Sequence, residues 1–112
     1  MKSRGDNLGE LEELVLLVSA TLGDEAYGVS VMHYISAEAG RDVNISAIHE
    51  VLKRLERKGY VRSKMGGATA TRGGRRKRFF VLTAKGKRLL EEAIRLKVQL
   101  YNRLPNLNIK FS

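Results

Sequence analysis

The residue types that usually carry catalysis are sparse in this chain and poorly spaced for it. No cysteine occurs among its 112 residues, which removes thiolate nucleophiles, thiolate zinc sites and disulfide frameworks. The two histidines, His33 and His49, stand 16 positions apart on separate predicted helices, so they do not form the i, i+4 pair of a helical metal site. His33 reads as an ordinary surface histidine. The glycine pairs Gly66-Gly67 and Gly73-Gly74 fall inside a predicted hairpin. A phosphate-cradling loop needs its glycines between a strand and a helix. With no nucleophile motif, metal-spaced cluster or cofactor signature, the expectation is a protein that is not an enzyme and holds no metal or cofactor.

What the chain does offer is cationic. Its formal net charge is +9, from 21 Lys+Arg against 12 Asp+Glu. Nine of the basic residues lie between Arg57 and Arg78, with no acid among them, and the other 12 are matched by the 12 acids. The whole excess therefore sits in one segment, the footprint of a surface that faces a polyanion. The plainer reading is a solvated hairpin kept soluble by Lys and Arg, but such faces normally mix the two signs.

The elements around that segment follow from hydrophobic spacing. Leu8 to Leu22 reads as a helix on Leu11, Leu14, Val15, Val18 and Leu22, widened by Leu16 and Leu17. Ala26 to Ala39 reads as a second helix, with Tyr27, Val31 and Ile35 on one stripe and Gly40 to end it. Gly28 near its start is costly for a helix and implies a closely packed neighbour. Asn44 to Lys58 reads as a third helix, capped by Asn44 or Ser46. Its buried stripe is Ile45, Ile48, Leu52 and Leu55, and its opposite face carries Ser46, Glu50, Lys53, Arg54 and Arg57, with Ala47 and His49 on the flanks.

Gly59 stops the third helix. Tyr60 to Met65 and Arg75 to Leu82 then read as strands joined by a glycine-rich loop, a β-hairpin. Of the pair Phe79 and Phe80, strand alternation sends one to the core. Thr83 caps a last helix that runs to about Leu104, ahead of Pro105. At about 1.5 Å per residue it is roughly 30 Å long, as long as a domain of this size is wide. Two apolar ridges lie along it, Leu89, Ala93, Leu96 and Leu100 beside Leu90, Ile94, Tyr101 and Leu104. An overhanging apolar ridge calls for a second subunit, and Leu11 and Leu14 of the first helix are candidates for the same interface. The alternative is that the helix folds back over its own first helix.

No apolar run approaches a membrane span, since the longest is Leu14 to Val18. The start Met1-Lys2-Ser3-Arg4 is followed by Glu10, Glu12 and Glu13 rather than by an apolar stretch, against a signal peptide. The expected location is the cytoplasm.

The expected fold is α+β and mostly helical: a winged helix-turn-helix of three helices and a two-stranded β-wing over residues 1–82, a dimerisation helix over 83–105, and a tail over 106–112. Such a fold places residues 44–58 in the major groove as a recognition helix. The basic wing, 60–82, then lies on the backbone or in the minor groove.

In this order the segments Ala26-Tyr27-Gly28, Leu52-Lys53-Arg54-Leu55-Glu56, Gly73-Gly74-Arg75-Arg76-Lys77-Arg78-Phe79-Phe80 and Leu82-Thr83-Ala84-Lys85-Gly86 resemble the PadR family of transcriptional regulators, in its short subtype with a single C-terminal helix. The resemblance covers roughly residues 8 to 104. It implies a homodimeric repressor on a palindromic operator, and a space between the subunits able to hold a small apolar or planar ligand. One departure stands out. Family members commonly carry Tyr-Pro where this chain has His49-Glu50.

Physical roles can then be assigned. Lys53, Arg54, Arg75, Arg76 and Lys77 are the candidates for phosphate contacts. Ser46, Ala47, His49 and Glu50 are placed for base edges or a thymine methyl, and Arg72 for a narrow minor groove. The competing classes are an RNA- or ribosome-associated protein that grips phosphates with the same hairpin, and a winged helix used only for protein contacts.

Overall fold

A computed structural model of the chain describes residues 8–66 and 76–105. Arg72, Arg75 and the expected tail at 106–112 lie outside the described residues. The order is α1 (Glu10–Leu22), a single 3-10 turn (Gly23–Glu25), α2 (Gly28–Ala39), α3 (Ile45–Arg57), β1 (Val61–Met65), β2 (Arg78–Leu82) and α4 (Ala84–Asn102). This is the winged helix-turn-helix expected from the sequence.

Local chemistry fixes the ends of the helices. Asn44 Oδ1 accepts from the Ala47 amide at 2.8 Å, so Asn44 rather than Ser46 caps α3. Thr83 Oγ1 accepts from the Gly86 amide at 3.0 Å at the start of α4. Three acids, Glu10, Glu12 and Glu13, occupy the first turn of α1, where the unpaired amides favour negative charge. Gly40 ends α2 in the left-handed region at φ 60°, a conformation that costs glycine little.

Most boundaries fall within two residues of the sequence reading, and two of the differences bear on the wing. Ala26 and Tyr27 were expected inside α2. Instead they are extended, and Tyr27 bridges to Phe79 while the Phe80 amide donates to the Ala26 carbonyl at 2.9 Å. The two residues act as a short third strand on the wing, a pairing between distant segments that local propensity does not reveal. The second strand also begins at Arg78 rather than Arg75 among the described residues. β1 and β2 pair antiparallel, Val61 opposite Leu82 and Met65 opposite Arg78.

One core holds these elements together. Val15 and Leu16 of α1, Val31 and Ile35 of α2, Ile48, Leu52 and Leu55 of α3, and Tyr60, Val61 and Phe80 of the hairpin are buried. Each large apolar side chain removed from water in this way contributes about 1.5–3 kcal/mol. Phe80 is the phenylalanine that enters the core, and Phe79 is half-buried against Tyr27. The core thus clamps the inner face of α3 and leaves its outer face on the surface.

The last helix divides in two. Gly86 and Leu90 are buried, and Leu89 and Ile94 pack against the core. From Arg95 to Pro105 every residue is exposed, including Leu96, Val98, Leu100, Tyr101 and Leu104 at 42–54%. Lys97 pairs with Glu13 of α1, so α4 runs back along α1. Of the sequence alternatives for this helix, the Lys97–Glu13 pair fits a fold back along α1, while the apolar side chains exposed beyond Arg95 are those that an overhang predicts.

Candidate nucleic-acid interface

At about 100° per residue, Ser46, Glu50, Lys53 and Arg57 point directly away from the buried stripe of α3. All four are exposed. Ala47 is half-buried on the flank nearest α1. His49 lies on the opposite flank, over the start of α2: a Cβ added to Gly28 would come within 2.5 Å of His49 Cε1. The neighbour that the early glycine implies is therefore a residue of α3, and the exposed His49 ring is braced from behind by α2 backbone.

Arg54 was grouped with the phosphate-binding residues, but its guanidinium already faces two carboxylates. One nitrogen lies 3.4 Å from Glu12 and the other 3.9 Å from Glu50. Glu12 is 5% exposed. It also accepts from the Gly9 amide at 2.9 Å and pairs with Lys58 at 3.2 Å. Burial pushes the Glu12 carboxyl up, but the Gly9 amide, Lys58 and Arg54 together outweigh that and hold it below its ordinary range. A buried carboxylate thus ties the start of α1 to the last turns of α3. Among the described residues Lys53 and Arg57 make no ion pair, and they are the bases of α3 left for an external anion.

The wing supplies the rest of the positive charge. Arg62, Lys64, Arg76, Lys77 and Arg78 lie on the hairpin, all but Arg62 and Lys64 beyond the loop. Arg62, Arg76, Lys77 and Arg78 are exposed. Lys77 is held in place: its ammonium donates to the Tyr27 hydroxyl at 3.1 Å and lies 4.2 Å from the centre of that ring. Tyr27 also meets Phe79 edge to face, ring centres 5.4 Å apart. Arg78 donates to Ser63 Oγ at 3.0 Å, and Ser63 donates in turn to Glu56 of α3 at 2.7 Å. Wing and α3 are therefore braced against each other. Their exposed cations stand on a common scaffold.

Sequence reasoning counted Arg62 and Lys64 in the basic segment without giving either a role, and it overlooked Glu12 and Tyr27 as parts of this surface. Arg62 and Lys64 were legible, since they alternate with Val61 and Ser63 along a strand. Glu12 and Tyr27 act through partners 42 to 50 positions away, which no spacing rule exposes.

The residues assigned to dimerisation separate into two groups. Leu11, Leu14, Leu89 and Ile94 are half-buried against the chain's own core and Leu90 is part of it. Ala93 is half-buried, whereas Leu96, Leu100, Tyr101 and Leu104 are exposed. Beside them an open groove of about 880 Å³ runs between α1, β2 and α4, lined by Leu17, Ala20, Val81, Leu90 and Ile94 with Lys87, Arg88 and Arg95 at its edge. The buried Ser19 hydroxyl also lines it and has no hydrogen-bond partner among the described residues.

Among the described residues no group of three His, Cys, Asp or Glu side chains is placed to hold a metal ion, and no helix is long and apolar enough to cross a membrane. The family model of the PadR-like transcriptional regulators matches residues 15–92. No curated protein sequence matches the chain. Among solved structures, a PadR family transcriptional regulator from Eggerthella lenta is 26% identical with a TM-score of 0.62, covering 83% of this chain and 80% of its own. A Streptococcus transcriptional regulator is 24% identical with a TM-score of 0.66, over 83% and 86%. Bacillus subtilis PadR, solved in complex with operator DNA, is 20% identical with a TM-score of 0.62, over 95% of this chain and 55% of its own.

Proposed function

The chain belongs to the PadR-like family of transcriptional regulators, and from that premise we propose that it is a homodimeric repressor that binds a palindromic site in duplex DNA. The observation that carries this reading is the free outer face of α3, continuous in charge with the wing. Ser46, His49 and Glu50 present to base edges in the major groove, with Ala47 beside them. Lys53, Arg57, Arg76 and Lys77 contact phosphates, together with Arg75, and Arg72 reaches the minor groove. Operator binding by the Bacillus subtilis relative supports the same use of a shared fold. A regulator of this kind works where the chromosome is, in the cytoplasm.

RNA is a poorer fit. Sequence-specific RNA readers offer free aromatic faces, whereas Phe80 is in the core and Phe79 is taken up by Tyr27.

Replacing Arg75 and Arg76 with alanine weakens binding to every duplex sequence. The slope of log K against log salt flattens by about one unit for each phosphate that the wing no longer neutralises. An unchanged slope means that the wing does not touch phosphate.

The exposed half of α4 is the surface for the second copy, which also covers the groove between α1, β2 and α4. A small apolar ligand held between subunits would lie in what remains of that groove. Sedimentation equilibrium at micromolar concentration gives a dimer, and coordinates of that dimer place the two α3 helices about 34–36 Å apart, one turn of DNA. Leu96→Glu with Leu100→Glu gives a folded monomer, because both side chains are more than half exposed in the single chain. A wild-type monomer under these conditions removes the dimer from the account.

A further inference from the structure

The outer face of α3 carries one carboxylate, Glu50, a turn before its cations Lys53, Arg54 and Arg57. Every other charge there is positive, and a lone carboxylate opposes the approach of phosphate. Glu50 is 73% exposed, sits one helical turn beyond Ser46 on the outer face, and is not adrift. Arg54, one turn further on, holds it at ion-pair distance with one guanidinium nitrogen while the other nitrogen faces Glu12. Glu12 is in turn fixed by the Gly9 amide and Lys58. Glu12, Arg54 and Glu50 form a chain of alternating charge that runs from the interior to the surface and steadies the outermost carboxylate.

We infer that Glu50 is a specificity-determining residue that accepts a hydrogen bond from the exocyclic amino group of a cytosine, one in each half-site, with Arg54 as its positioning residue. A carboxylate can only accept. In the major groove guanine presents two acceptors, thymine an acceptor and a methyl, and adenine a donor next to the acceptor N7. Cytosine alone presents a donor without an acceptor of its own beside it. The same carboxylate that repels backbone phosphate in non-specific contact is thus satisfied at one base pair. This rests on α3 lying in the major groove.

The test is selection of binding sites from a random duplex library by the full-length protein, wild type and variants, followed by affinities for single-base changes in the selected site. Wild type is expected to demand a C·G pair at one position per half-site, by about 5- to 150-fold over the other pairs. Glu50→Gln moves that preference to A·T, because a carboxamide matches the donor and acceptor of adenine. Glu50→Ala removes the preference at that position alone, and Arg54→Lys, which keeps the charge but loses the two-nitrogen bridge, reduces it there. The inference is overturned if Glu50→Gln and Glu50→Ala select the wild-type site, or if they change affinity for all sequences equally. Wild type that binds duplex but selects no sequence overturns the groove reading and this inference with it. An Arg54→Lys protein with the full preference removes only the positioning role.

Discussion

Gly86→Ala lowers the midpoint of thermal unfolding by about 8 °C. Helix propensity alone gives the opposite sign, since alanine in place of glycine favours a helix by about 0.8–1 kcal/mol. Packing decides against it. A Cβ at residue 86 would lie 2.0 Å from the Tyr60 carbonyl oxygen and 2.9 Å from its carbonyl carbon. Both are backbone atoms and cannot rotate away. That carbonyl also accepts from the Thr83 amide at 3.0 Å, and Thr83 donates its hydroxyl to the Gly59 carbonyl at 2.6 Å. The first turn of α4 is therefore pinned to the turn between α3 and β1 from two sides, and only a shift of the whole helix relieves the clash. Overpacking of this kind costs about 3 kcal/mol, which leaves about 2 kcal/mol once the helix preference is subtracted, and for a domain of this size each kcal/mol moves the midpoint by about 4 °C. The measurement compares both proteins at equal protomer concentration, because a dimer's midpoint depends on it. A variant that melts within about 2 °C of wild type, or above it, contradicts the packing argument.

Glu12→Gln costs about 2 kcal/mol at neutral pH, and the cost disappears in acid. The carboxylate accepts from Gly9 and faces Lys58 and Arg54. Breaking a fully buried ion pair costs about 3–5 kcal/mol. Here both cations keep partial access to water, 28% for Lys58 and 42% for Arg54, so the smaller figure applies. The folded carboxyl titrates below its ordinary value of 4.5. A depressed folded pKa gives stability that is present above the unfolded value and is lost as pH falls through the folded one. The gap between wild type and Glu12→Gln in urea unfolding therefore closes as pH is lowered from 4.5. Glu10, whose carboxyl is lowered by its hydrogen bond and charge interaction with Arg41, adds a surface contribution common to both proteins. A gap that persists unchanged to low pH means that the carboxylate's charge is not what Glu12 supplies.

These two residues show where sequence reading succeeds and where it stops. The caps Asn44 and Thr83, the stopping glycines and the buried stripes are local, and local spacing reveals them. Gly28 was legible as a site of close approach, although the identity of the neighbour, His49, was not. Arg54 illustrates the limit. Helical spacing places it toward the outer face beside Lys53, yet that flank meets α1, and a carboxylate 42 positions earlier claims it. Likewise the ridges of α4 have one pattern from Leu89 to Leu104, but only the placement of the helix over the core separates Leu90, which is buried, from Leu96, which is not. Periodicity reports that a face is apolar. It does not report what that face meets.

The free face of α3 and the cationic wing form, in this account, one surface for duplex DNA. The most direct test is binding of the purified protein to random-sequence duplex across a salt series, with single-stranded RNA as competitor. The account predicts affinity that falls steeply and linearly on a log–log plot against salt, and that the RNA does not abolish. Weak binding with no salt slope, or displacement of the duplex by RNA, contradicts it.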